Sequence, residues 1–168
     1  MDAALRILHI IFGVYVGGMY IFATLILLPK LHSLGSKVER SVIRSVLSVA
    51  SPVNAVSLII VIGTGVAMTF RLQGGDISKL LTTGWGVTIF IGAIAAVVAT
   101  LIGFVLLMPK GLRMDKIYRS IGEGEPNAEQ ANELDDMIAR FRKIERVNFV
   151  LMMIALISMP VSRFVRFV

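Results

Sequence analysis

Four long apolar runs, almost free of charge, leave this chain few folds to choose from. They lie at roughly 4–28, 50–70, 85–108 and 147–167. Each holds about twenty mostly apolar residues, enough to cross a hydrocarbon core of about 30 Å as a helix. In lipid every backbone N–H and C=O must be paired within the chain, which permits helices or a closed barrel. Barrel strands would alternate polar and apolar residues, and these runs do not. The expected fold is therefore all-α: an integral membrane four-helix bundle, with 1–168 as a single transmembrane domain. Two polar hairpins, 29–49 and 109–146, join the spans.

The chain carries 17 Lys and Arg against 11 Asp and Glu, a net charge of +6. Such a balance can signal nucleic acid, but here the basic residues flank the apolar runs, so no nucleic-acid partner is expected. Twelve of them fall in the two hairpins and five elsewhere, Arg163 and Arg166 among the five. That asymmetry places both hairpins in the cytoplasm and both termini outside, in a multi-pass protein of the cell (plasma) membrane. The apolar run from Ile7 to Leu28 is about twice the length of a signal-peptide core, and no cleavage site follows it. There is no cysteine, which removes disulfides and thiolate sites together.

Pro29-Lys30 and Pro109-Lys110 are expected to stop the first and third span helices. Asn127 follows Gly122-Glu123-Gly124-Glu125-Pro126 as an N-cap, and helix-forming sequence continues from Ala128 through Arg146 into the fourth span. The second span helix begins near Ser36, well before its apolar part. At the other ends, Gly74-Gly75 suits a turn, Asp76 a cap, and Trp85 an aromatic belt. A weak tandem repeat runs through the chain. Leu27-Leu28-Pro29-Lys30 recurs as Leu107-Met108-Pro109-Lys110, and Val53-Asn54-Ala55-Val56 as Val147-Asn148-Phe149-Val150. Two tandem helical hairpins of one topology should pack about a pseudo-twofold axis along the membrane normal.

Small and polar residues form stripes at helical spacing. The first span has His9, Gly13, Gly17, Tyr20 and Thr24; the second has Asn54, Ser57, Thr64 or Gly65, and Met68. The third has Gly92, Ala95, Ala96, Ala99 and Gly103; the fourth has Asn148, Met152, Ala155, Ser158, Met159 and Ser162. Close helix approach and interhelical hydrogen bonds account for most of these. His9 stands apart as the only imidazole within a span, and ionisable groups in a bilayer are costly and commonly functional. Above Gly13 and Gly17, it suggests a b-type haem, with imidazole for the iron and missing side chains for the ring. Copper is the second candidate, with His9, Met68 and Met159 as the softer ligands. An interfacial histidine bonding its neighbour helix is the structural alternative. His32 lies about 35 Å further along the helix. No carboxylate falls within the apolar runs, which argues against a proton-coupled pump. No catalytic constellation is present.

The first span, from Leu8-His9-Ile10-Ile11 through Gly17-Gly18-Met19-Tyr20-Ile21-Phe22 to Leu28-Pro29-Lys30, resembles the opening helix of CopD-type copper-resistance membrane proteins and the uncharacterised four-helix proteins related to them. A more distant likeness is to HemJ, the membrane protoporphyrinogen oxidase. The resemblance implies that His9 corresponds to the family histidine, a haem ligand in HemJ-like proteins. Those enzymes pair it with a lysine deeper in the chain, and no span here holds one. The expected function is thus that of a small, redox-associated CopD-like membrane protein binding b-type haem, or copper, through His9. The alternative is a non-catalytic accessory subunit packed against other membrane subunits or its own copies. A small-solute channel or transporter is the third.

Overall fold

A computed structural model describes residues 2–72, 78–122 and 124–165. Those residues are almost wholly helical, with no strand among them. In chain order they form α1 (Asp2–Phe22), a π-turn (Ala23–Leu27), α2 (Leu28–Ser33), α3 (Ser36–Leu72), α4 (Lys79–Thr82), α5 (Gly84–Ile102), a second π-turn (Gly103–Leu107), α6 (Met108–Ile121) and α7 (Ala128–Val161). Among the described residues four helical stretches are long and apolar enough to cross a membrane: Ala3–Leu31, Val49–Arg71, Gly84–Ile121 and Ala128–Val161. The protein is an all-α, four-helix bundle of the multi-pass membrane type.

Pro29 and Pro109 do not stop their helices, contrary to the expectation from sequence. The chain bends its register instead. Leu28 N–H bonds to Ala23 O, and Met108 N–H to Gly103 O, five residues back rather than four. A proline has no N–H to give and its ring crowds the preceding turn; a π-turn widens the helix there and lets it continue. The true breaks come later, at Gly35 (φ +88) and Gly122 (φ +64), where a residue without Cβ can adopt positive φ.

Helix α7 starts at the expected cap. Asn127 Oδ1 accepts from Gln130 N at 2.8 Å, and Gln130 Oε1 accepts from Asn127 N at 3.1 Å, closing a reciprocal capping box. From there α7 runs 34 residues, roughly 50 Å at 1.5 Å per residue, longer than a bilayer core needs. Helix α3 is longer still, at 37 residues. The excess lengths lie at the Pro29 and Pro109 end, where Arg113 pairs with Glu133 at 2.6 Å and Tyr118 and Leu134 are buried. Helix α7 ends at Val161, short of the limit of 167 read from hydropathy, and residues 162–164 are turn. The Gly74-Gly75 turn and the Asp76 cap lie outside the described residues. Trp85, in the first turn of α5, is half-buried.

Helix α1 packs chiefly on α3, and α5 chiefly on α7, while α1 also meets α7 and α5 meets α3. The core sits where Val16, Ala99 and Met152 come together, with Tyr15, Tyr20, Leu58 and Leu151 against them. The small-residue stripes of α5 and α7 face one another: Gly92, Ala95, Ala99, Met152, Ala155 and Ser158 are all buried. A Cβ on Gly92 would run into the Ser158 hydroxyl, so glycine is what allows the two helices to meet there.

Candidate functional site

His9 faces α3. Its Nδ1 lies 3.0 Å from Val61 O and 3.0 Å from Thr64 Oγ1. A carbonyl oxygen only accepts, and Thr64 already donates its hydroxyl proton to Ile60 O at 2.6 Å. Nδ1 must therefore carry the ring proton and donate it, which fixes the tautomer by its partners. Nε2 is left with its lone pair. The ring also rests on Gly65, where an added Cβ would come within 3.2 Å of His9 Cε1. Thr64 owes its inward position to helical phase, as does Ser57 two turns earlier; both are buried and both return their hydroxyls to their own helix.

The other residues expected at this site divide between seams. Gly13 opens onto space, with nothing near the position of a Cβ. Gly17 is filled: a Cβ there would sit 2.7 Å from Leu156 Cδ1, so α7 occupies the room expected for a haem plane. Met68 follows Thr64 and Gly65 by one turn on α3 and so shares their face. It is half-buried. Met159 lies on α7 at 36% exposure. Among the described residues no group of three or more His, Asp and Glu comes together.

One polar seam joins Tyr20, Thr24 and Asn148, expected from sequence as interhelical hydrogen-bonding residues, with Glu145, which was not. Asn148 Nδ2 donates to Tyr20 OH at 2.9 Å, and Thr24 Oγ1 donates to Glu145 Oε1 at 3.0 Å. These contacts join α1 and the π-turn after it to α7 across 128 and 121 residues of sequence. Glu145 lies just outside the apolar run read from sequence, yet it is partly buried and bonded to a residue inside the first span. Its hydroxyl partner belongs to the first π-turn. The only hint in the sequence was that Glu145 precedes Asn148 by one turn and so shares its face.

Recesses open on the surface of the described residues. A groove of about 360 Å³ on α7 is lined by Val150, Met153, Ile154, Ile157, Ser158 and Val161. Another, about 460 Å³, lies against Leu25, Ile26, Pro29, Lys30 and Ser33. Neither includes His9. Compared with known proteins, the chain matches no family model, no curated protein and no solved structure.

Proposed function

We propose that the chain is a CopD-like, redox-associated membrane protein whose His9 binds a metal through Nε2, and that the metal is copper rather than haem iron. The observation that carries this reading is the double hold on Nδ1–H by Val61 O and Thr64 Oγ1. Metal-binding histidines are typically set in this way: a carbonyl or similar acceptor fixes the tautomer and turns the other nitrogen outward. A b-type haem does not fit the seam as packed. Leu156 fills the space at Gly17, so of the two glycines expected to admit the ring only Gly13 is open. A single copper ion needs no such cleft. His9 Nε2 would hold it, with the Met68 thioether on the same face of α3 as the second soft donor. Copper, when bound, supplies one-electron chemistry. The protein's part is to orient the imidazole, keep its proton on Nδ1 and surround the donors with apolar side chains. In this reading the chain lies in the plasma membrane with both termini outside, and His9 is near the outer surface.

The test is metal analysis and a visible spectrum on protein purified gently from its native membrane, beside a His9→Ala variant. Copper should be retained in fixed proportion by the parent and lost in the variant, with no Soret band in either. A metal-free parent from a copper-replete membrane sinks the proposal, and a Soret band that vanishes in His9→Ala would restore haem.

A second reading rests on a separate observation. Only 11–22% of the residues in the most apolar stretch of each span are buried within the chain. Gly13, Gly63 and Gly103, with open space at their Cβ positions, give these outward faces points of close approach. An accessory subunit packed in a larger membrane assembly would cover them. Co-purification at fixed stoichiometry supports that reading, and a solitary, monodisperse chain in gentle detergent counts against it.

A further inference from the structure

The Tyr20–Asn148 and Thr24–Glu145 pairs are two rungs of one seam. Tyr20 and Thr24 are one turn apart on α1 and its π-turn, and Glu145 and Asn148 are one turn apart on α7. Asn148 is 0% exposed, and its Oδ1 has no hydrogen-bond partner. Reversing the amide does not cure this. Tyr20 OH would then donate to Oδ1, and the NH₂ group would be the orphan instead. A buried amide oxygen without a partner costs about 1–3 kcal/mol in a protein interior, so Oδ1 is an acceptor that a cation or a donor would satisfy. Beside it stands Glu145, a partly buried carboxylate on the membrane flank of α7. Thr24 already donates to it, and a cation held close would stabilise its charge further. Arg142 and Arg146 act on it electrostatically from the same helix, but both side chains are exposed. Their charges are accordingly screened by solvent.

The donors available are all hard oxygens: the Asn148 amide, the Tyr20 phenol, the Thr24 hydroxyl and the Glu145 carboxylate. The π-turn adds to them. Pro29, in the first turn of α2, has no amide hydrogen to offer the carbonyls of the π-turn that carries Thr24. Irregular helix carbonyls combined with side-chain oxygens and a single negative charge suit a small monovalent cation. We propose that the α1–α7 seam binds a sodium ion between its two rungs, held by Asn148 Oδ1 and the Glu145 carboxylate with Tyr20 and Thr24 completing the oxygen set. Asn54, the residue matched to Asn148 in the weak repeat, also has a buried Oδ1 without a partner. It lies on α3, and the site is complete without it.

The experiment compares thermal unfolding of the purified protein in sodium chloride and in choline chloride at matched ionic strength. Sodium should raise the melting temperature of the parent, increasingly with concentration, because a ligand bound only to the folded state stabilises it. Glu145→Gln keeps an acceptor for Thr24 and removes the charge, so it should fold and lose the response. Equal melting of the parent in both salts overturns the proposal, as does a full response in Glu145→Gln. Should that variant fail to fold, equilibrium dialysis of the parent against radioactive sodium decides. One ion bound per chain supports the site, and none refutes it. A His9→Ala chain should retain the sodium response, which separates this site from the metal proposed at His9.

Discussion

A single methyl group added at position 92 should cost about 1–3 kcal/mol, the usual range for overpacking a filled interior, and more if the helices cannot part. The Gly92→Ala Cβ would meet Ser158 Oγ and, 2.8 Å away, Ser158 Cβ, with Ala155 O behind at 3.5 Å. A hydroxyl can rotate, but a Cβ and a backbone carbonyl move only with their helix. Helices α5 and α7 must therefore separate along their main line of contact. Thermal or denaturant unfolding in detergent measures the loss. Ser158→Gly in the same chain should recover much of it, because removing the Cβ clears the collision; Ser158→Ala should recover far less. Gly17→Ala is the internal comparison. The atoms nearest its new methyl all belong to Leu156, a flexible side chain that can turn aside, so its cost should be clearly smaller. Equal melting of Gly92→Ala and the parent would refute the close α5–α7 seam.

The second large effect is expected at a residue that binds nothing itself. Gly65 supports the His9 ring, and an added Cβ would stand 3.2 Å from Cε1. Gly65→Val adds two further methyl groups in that direction. The imidazole should be displaced from Val61 O and Thr64 Oγ1, and with it the tautomer that leaves Nε2 available. Copper retention should fall about 10–100-fold, the range seen when outer partners of a metal-binding histidine are lost. The control is Gly63→Val, two residues away, where a Cβ meets open space. That variant should retain copper and melt like the parent. If Gly65→Val holds copper as tightly as the parent while its helix content is intact, the α3 seat of His9 plays no part in binding.

The spans were legible because lipid imposes one requirement on every residue of a run, and hydropathy averaged over about twenty residues records it. The Asn127 cap was legible because Asn127 and Gln130 carry their chemistry within one turn. What escaped was of two kinds. Pro29 and Pro109 were read as stops by a rule learned in water, where a broken helix can bond to solvent. In an apolar setting a helix has more to lose by ending, and a wide turn costs less. Glu145 escaped for another reason. Its role depends on Thr24, which arrives from 121 residues away, and no local pattern announces such a partner. The Leu156 side chain filling Gly17 is hidden in the same way: a glycine in sequence is an absence, and only the neighbouring helix says what occupies it.

The two wide turns have a consequence for chain length. Each contains one residue more than the α-helical turn it replaces, and in a plain helix such an insertion would rotate everything beyond it by about 100°. At Ala23–Leu27 and Gly103–Leu107 the surplus is absorbed on the spot. These are the places where each hairpin can gain or lose a residue while the helix above keeps its seam partners and the helix below keeps its own. The proline is thus a reading-frame adjuster, separating the membrane half of each long helix from the polar half. The two halves can then change their lengths and surfaces independently.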